Sequence, residues 1–485
     1  MTHSHPDFDP RRLSQRELPA LAQLAKSIGL DNYFQGDATL HGSDPIIRSP
    51  HRLGEASGIA QLLIGMAGAA IWKVRTGGGT DLSIDIVDAL HFLHPTHYVA
   101  QQGRPINVGA EHVAVNDLFL CRDGRYVMLE AGPPYPKLLD GYLNFFDCGN
   151  NKESIAREVA KWDSEALETA MAEAGLPACR ALTREEWLAH PQGRALQATP
   201  VIEIERVADG PAIPFNTPTQ VNSPLQGIRV LDFTHVLAGP RSARTLAEYG
   251  ADVLHVSSPS YPDTLAQHLG VDVGKRCAYL DLRDPADLAK MLDLSTHADV
   301  FTTSYRHGVN ARFGLLPQQL FERSARGIVC LTINAYGHSG PWAQRPGFDQ
   351  NGQVATGFAV REGLPGKPRF SPVFYLADLI TGYLSAAGMM AALLRRSIEG
   401  GSYHVKVSLA RSAMWVQELG LLDLGAQDDL PATDTYPARL SAIKTPYGTV
   451  SGLHPPLKFS ALQLPQADLM EPYGASPAEW LNQSN

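Results

Sequence analysis

Hydrophobic and polar positions fall into one pattern twice along the chain. Leu53-Gly54-Glu55 leads through Gly65-Met66 to Gly77-Gly78 and Leu82-Ser83-Ile84. Leu376-Ala377-Asp378 leads through Gly388-Met389 to Gly400-Gly401 and Val405-Lys406-Val407. The offset is constant at 323 residues, from 55 to 378 and from 82 to 405. Each copy predicts an acidic residue, a small-residue apolar helix, a glycine-rich turn and an alternating strand. Few paired positions are identical. The apolar runs, 58–72 and 382–394, fall short of the roughly 18 to 20 residues that span a bilayer, so both read as buried helices.

The segments between the copies differ in kind. Residues 118–129 read as a hairpin turning at Asp123-Gly124, followed by helical patterns at 164–174 and 183–190, the second stopped by Pro191. Residues 116–200 thus form a small α/β domain. Pro211, Pro214, Pro218 and Pro224 mark 201–224 as an extended linker. From there strands at 228–233, 252–256, 299–302 and 327–333 alternate with helices such as 240–249. That alternation predicts an α/β fold with a Rossmann-like doubly wound parallel sheet, spanning 225–415. Ligands of such sheets bind at the carboxyl ends of the strands, which places Thr234 to Pro240, the first strand-to-helix turn, at the mouth. The remaining divisions are an arm at 1–45, the first copy at 46–115 and an extension at 416–485.

Composition narrows the function class. A chain of 485 residues, 44% hydrophobic and 19% charged, can bury a large core without disulfides. Five cysteines with no CxxC pair point to free thiols and a cytoplasmic location. No secretory or transit signal is read in residues 1–26. The net charge of −9 disfavours nucleic acid as a partner and leaves room for a small anion held by local basic residues.

Asp378 precedes the second apolar helix, where an Asp ordinarily serves as an N-cap. A carboxylate at that position is also held ionised by the helix dipole, which suits a nucleophile. The surrounding motifs run in a specific order: 225–233, Ala238-Gly239-Pro240, Gly250-Ala251-Asp252-Val253, Gly274-Lys275-Arg276, Leu280-Asp281-Leu282 and Arg345-Pro346-Gly347-Phe348-Asp349. This order resembles the class III CoA-transferases, which include formyl-CoA:oxalate and carnitine CoA-transferases and the α-methylacyl-CoA racemases. The likeness is strong over 224–413 and weaker over 50–200, as though two copies had been fused and each had lost a part. It implies that Asp378 attacks an acyl-CoA thioester to form a covalent intermediate. It further implies that coenzyme A lies along His235, Val236, Leu237 and Ala238, with Lys275, Tyr305, Arg306 and Arg312 near its phosphates and adenine. Acyl-CoA and a small carboxylate would be the substrates, a homodimer the assembly, and no metal or membrane would take part.

Several departures stand beside the likeness. Ser257-Ser258-Pro259-Ser260 replaces the family's Glu-x-Pro-Gly-like stretch, and Ala131-Gly132-Pro133-Pro134 is a poor substitute for its glycine-rich flap. Phe348 stands where the racemases carry a His, which disfavours their two-base route. Glu55, longer than Asp378 by one methylene, reads as a structural carboxylate. Gly337-His338-Ser339-Gly340-Pro341 fails the hydrolase-elbow pattern at Pro341. His91, His94 and His97 have a metal-like spacing but no carboxylate or Cys beside them in sequence. Gly77-Gly78-Gly79 reads as a turn. No G-x-G-x-x-G follows the first strand of the sheet, which argues against a nicotinamide enzyme. The alternatives to CoA transfer are an acyl-CoA racemase or isomerase, and a non-catalytic CoA-binding relic.

Overall fold

In the computed structural model the predicted αβ alternation builds a seven-stranded sheet. The structure describes residues 12–14, 17–106, 113–132, 135–215, 221–324, 326–364, 366–423 and 430–481. Its strands, in chain order, are β1 (Glu203–Ala208), β2 (Arg229–Phe233), β3 (Asp252–Ser257), β4 (Arg276–Tyr279), β5 (Val300–Thr303), β6 (Val329–Asn334) and β7 (Ser402–Ser408). They lie in the order β4-β3-β2-β5-β6-β7-β1, parallel throughout except for β1, which runs antiparallel along β7. The strand order reverses beside β2, so the turn after β2 sits at the switch point where such sheets hold ligands.

Three helices set the site: α1 (Leu53–Thr76), α2 (Ala238–Glu248) and α3 (Leu376–Glu399). α3 is apolar or small on every face and is buried along nearly its whole length, as expected of a helix that crosses a core. α1 and α3 both run for 24 residues, and each is followed by a glycine at positive φ, Gly77 at 77° and Gly400 at 73°. A strand and a second helix come next in both cases: Leu82–Asp85 and Ile86–His91 after α1, and β7 and Leu409–Glu418 after α3. By length and composition α1 and α3 could each cross a bilayer, contrary to the shorter runs read from sequence. Of their most apolar windows, however, 83% and 100% are buried within the protein.

α3 packs against both α1 and α2. The contact with α2 depends on Gly382, where a Cβ would come within 2.9 Å of the Ala238 carbonyl oxygen. That close approach brings the start of α2 against the first turns of α3.

The expected hairpin forms from Asp117–Leu120 and Tyr126–Leu129, joined by Ala178–Arg180 into a three-stranded antiparallel sheet. With helices Pro136–Phe146, Lys152–Val159 and Ser164–Glu173 it encloses its own core around Phe119, Val127, Leu129, Tyr142, Ile155 and Leu167. Other expectations are corrected. The segment read as a linker supplies β1, whose residues 203–208 pair antiparallel with the open edge of β7; Pro218 lies outside the described residues. Residues 17–45 are not a detached arm, since helix Pro19–Ser27 buries Leu21, Leu24 and Ala25 and strand Ala38–His41 pairs with Leu82–Asp85; residues 1–11 lie outside the described residues. Pro191 does not simply stop a helix but opens the next one, Pro191–Gln197, where its missing N–H costs nothing. In the extension, Leu440–Thr445 and Gly448–Leu453 pair as a hairpin whose second strand joins Ala100–Gln101.

Gly382→Val should force α2 and α3 apart. Denaturant unfolding is expected to show a loss of about 1–3 kcal/mol, the usual range for overpacking a core, and a stability equal to that of the wild-type protein would contradict the packing described.

Candidate active site

The first turn of α3 is held by a carboxylate other than its own. Asp378 is not the N-cap expected from its position. The flanking residue is Tyr375, which makes no side-chain cap, and Asp378 lies in the first turn. The cap is Asp349, whose Oδ2 accepts the Asp378 N–H at 2.7 Å. Asp349 is itself fixed by Gln353, which donates to its Oδ1 and, at 2.7 Å, to the Phe374 carbonyl. With its backbone N–H held by a neighbour, the Asp378 carboxyl has no hydrogen-bonded protein partner among the described residues.

Electrostatics reverse the expectation that Asp378 is held ionised. Its residue is 9% exposed, and burial, joined by the charges of Asp349 and Glu130, raises its pKa well above the ordinary carboxylate value. Burial pushes Asp349 up to about 7. Glu130 rises to about 8, again through burial, with a contribution from Asp349. Three buried, mutually repelling carboxyls with no ion-paired cation among the described residues cannot all ionise readily, so protons are shared among them near neutrality. The helix dipole acts in the opposite direction and is outweighed by the loss of water.

The mouth of the sheet lies alongside. Val236 adopts φ 70°, an uncommon conformation for a β-branched residue. It is stabilised there by donating its N–H to Asp263 Oδ2 at 2.7 Å. The His235 N–H donates to Ser304 Oγ at 3.1 Å, and the imidazole pKa falls to about 4 because burial and the charge of His255 disfavour its cation. No side chain caps α2 at Leu237, so the N–H groups at its start face the mouth unpaired by a cap, an arrangement suited to an anion. Tyr305 stacks on His235 with ring centres 4.4 Å apart. From the small α/β unit, Tyr135 contacts His235 Nδ1 through its hydroxyl and stacks on Phe348 at 5.8 Å, thereby joining that unit to the mouth beside Asp378. Pro133 and Pro134, the rest of the poor flap substitute, lie outside the described residues.

Other predicted residues meet different outcomes. Arg306 and Arg312 are exposed just beyond β5, on helix His307–Arg312 and its flank. Lys275 is corrected: it is fully enclosed, its Nζ donating to Asp232 Oδ2 at 2.8 Å and Asp272 Oδ1 at 2.9 Å, and so is not open to a phosphate. Burial opposes its charge, but the two carboxylates outweigh that and raise its pKa. Asp232 also accepts from His255, Thr234 and Thr302. Asp232, His255 and Asp272 bring three ligand atoms within 4.8 Å of one another, but the ammonium of Lys275 already bonds both carboxylates. The cluster reads as a buried ion network under the mouth. Glu55 repeats part of the Asp378 arrangement, its N–H donating to Asp44 at 2.8 Å, yet its own carboxylate pairs with Arg52 at 3.1 Å. The tertiary fold supplies the carboxylate that sequence placed nowhere near the histidines: Asp434 lies 3.4 Å from His91 and 3.3 Å from His94. His338 pairs with Thr332 at 2.8 Å rather than with Ser339, so no hydrolase dyad forms.

Glu130 and Tyr135 escaped the sequence reading because folding brings them to the site from the small α/β unit, and Asp263 because its partner, the Val236 N–H, lies 27 residues earlier in the chain. Asp349 carried a signal, its place in the Arg345-Pro346-Gly347-Phe348-Asp349 motif, but its capping role depends on a chain 29 residues further on.

Comparison with known proteins bears on residues 225–451, which match the family model described as CoA-transferase family III. An acetyl-coenzyme A transferase, nodX, of Hypoxylon pulicicidum is 36% identical over 222 residues, covering 44% of this chain and 37% of the relative. An acyl-CoA transferase of Gibberella moniliformis is 34% identical over 267 residues, covering 53% and 47%. Among solved structures, Rv3272 from M. tuberculosis is 33% identical, with a TM-score of 0.38 and coverage of 41% and 56%. The chain thus spans about half or less of the length of the curated relatives named here.

Lys275→Met should strand two buried carboxylates. It is expected to lower unfolding free energy by about 3–5 kcal/mol, the range for breaking a buried ion pair from one side. An unchanged stability accompanied by weakened binding of a phosphate-bearing ligand would restore Lys275 to the mouth.

Proposed function

Because residues 225–451 of the chain belong to CoA-transferase family III, we propose that the protein transfers coenzyme A from an acyl-CoA to a carboxylic acid through Asp378. The single observation that supports this most is a carboxyl with no hydrogen-bonded partner among the described residues, set beside the uncapped start of α2 and relieved of capping duty by Asp349.

Coenzyme A would run along His235, Val236, Leu237 and Ala238. Its phosphates would meet the free N–H groups at the start of α2, and Arg306 and Arg312 would meet its phosphates and adenine together with Tyr305. Ionised Asp378 attacks the thioester carbonyl carbon; a C–O bond forms, the C–S bond breaks and the electron pair leaves on the CoA thiolate. The thiolate then attacks the aspartyl carbonyl of the mixed anhydride and releases the donor acid, leaving an aspartyl-CoA thioester. The acceptor carboxylate repeats the sequence in reverse and restores Asp378. In the site as it stands, the raised pKa keeps the nucleophile protonated until a base removes the proton, and Asp349 and Glu130 are the nearest carboxyls that share it. Tyr135 and Phe348 limit water around this step. Phe348 offers no proton-transfer group, which disfavours the racemase alternative.

Incubation with acetyl-CoA followed by hydroxylamine should mark Asp378 in a peptide map and leave Asp378→Asn unmarked. Absence of a mark, with activity retained in Asp378→Asn, would remove the proposal. Since only the ionised carboxylate attacks and its pKa is raised, single-turnover acylation should accelerate as pH rises above the ordinary carboxylate range, and Asp349→Asn should shift the rise to lower pH. A flat profile in both proteins would contradict the shared-proton account.

A further inference from the structure

Residues 469–481, near the end of the chain, lie along β4, the outer strand of the seven-stranded sheet. Several contacts fix them there. The Gly274 N–H donates to the Leu469 carbonyl at 2.7 Å, the Cys277 N–H to Glu471 Oε2 at 3.1 Å, and the Ser476 N–H to the Cys277 carbonyl at 2.9 Å. Further along, Trp480 Nε1 donates to the Leu294 carbonyl at 3.2 Å, and the Arg229 guanidinium lies 5.7 Å from a Trp480 ring centre. Covering the outer edge of a sheet accounts for most of this strap.

It does not account for Tyr473. The hydroxyl of this residue turns from the strap into the ion network and donates to Asp272 Oδ2 at 3.0 Å, while its ring lies on His268 with centres 4.0 Å apart. Burial and the neighbouring carboxylates raise the pKa of the phenol, so it remains a donor. Asp272 Oδ2 also pairs with His268 Nδ1 at 2.9 Å, and its Oδ1 takes Lys275. Two routes lead from Asp272 to the turn after β2. Through Lys275 the network holds Asp232, whose Oδ1 accepts the Thr234 hydroxyl at 2.6 Å. Thr234 abuts Gly239 at the start of α2, where an added Cβ would stand 2.5 Å from the Thr234 Cβ. The second route is electrostatic: the charges of Asp272 and Lys275 act on Asp263, the carboxylate that accepts the Val236 N–H and holds Val236 at positive φ. A buried carboxylate deprived of one donor is less well compensated, and the groups bonded to it shift in response.

We propose that Tyr473 is a positioning residue for the coenzyme A mouth, setting the turn at 235–238 through Asp272 without touching the ligand; this rests on the reading of that mouth given above. Titration calorimetry of coenzyme A into the full chain tests it. Tyr473→Phe keeps the ring on His268 and removes only the hydroxyl. It should weaken coenzyme A binding about fivefold, within the range of couplings carried by packed networks. Acylation of Asp378 at saturating acetyl-CoA should keep its wild-type rate. Trp480→Phe alters the same strap outside the network and should leave the affinity unchanged, which separates positioning from a general loosening of the strap. Because coupling is reciprocal, hydrogen exchange of the wild-type protein provides the test if Tyr473→Phe does not fold: coenzyme A should slow exchange in 469–476 as well as in 234–240. The proposal is overturned if Tyr473→Phe binds coenzyme A as the wild type does, if Trp480→Phe weakens binding equally, or if the slowed exchange is confined to the mouth. A wild-type protein that does not bind coenzyme A would remove the reading of the mouth, and this proposal with it.

Discussion

The bond from the Asp378 N–H to the Asp349 carboxylate organises the site. An Asp in the first turn of a helix normally spends its oxygens on nearby backbone N–H groups, which satisfies the helix and lowers the pKa of the acid. Here Asp349 provides that service from a preceding segment. The consequence is twofold: the Asp378 N–H in the first turn of α3 is satisfied, and the Asp378 carboxyl is left without a hydrogen-bonded partner among the described residues. The same exchange accounts for the raised pKa, because a buried carboxyl without hydrogen-bond donors and beside two other carboxyls resists ionisation. The first copy of the pattern clarifies the point. Asp44 caps α1 as Asp349 caps α3, but Glu55 is paired with Arg52 and is thus an ordinary ion-paired carboxylate.

The packing that delivers Asp378 to the mouth follows from small residues. Gly382 lets the Ala238 carbonyl approach α3 directly, so the helix that begins at the mouth and the helix that carries Asp378 touch near their starts. Below them, the Asp232, His255, Lys275 and Asp272 network joins β2, β3 and the approach to β4. Isolated burial of any of these charges would be prohibitive, and their mutual pairing is what permits all four groups to sit under the sheet's switch point. The polar interior thus fixes the strand ends that shape the turn at His235 and Val236.

Much of this was legible in the chain. Short β-rich runs separated by helices gave the parallel sheet, since local periodicity and turn residues report secondary structure directly. The Asp-Gly step at 123–124 marked the hairpin, and the ordered motifs singled out Asp378 and the His235 turn. Elements that depend on long-range pairing were not legible. β1 reads as linker because its partner, β7, is about two hundred residues away. Lys275 is placed near the phosphates by the family resemblance alone, and only the fold reveals the two aspartates around it. Glu130 and Tyr135 reach the site from another unit, and His91 and His94 find their carboxylate at Asp434, some 340 positions on. Charge compensation of this kind is a tertiary property, and no local pattern encodes it.

The most direct measure of the central claim is the titration of the Asp378 carboxyl itself, followed by carbon NMR in protein labelled at aspartate carboxyls and assigned with Asp378→Asn. The account predicts a midpoint well above that of an ordinary aspartate, lowered when Asp349 is replaced by Asn. A midpoint near the ordinary value of about 3.9 in the unaltered protein would contradict it.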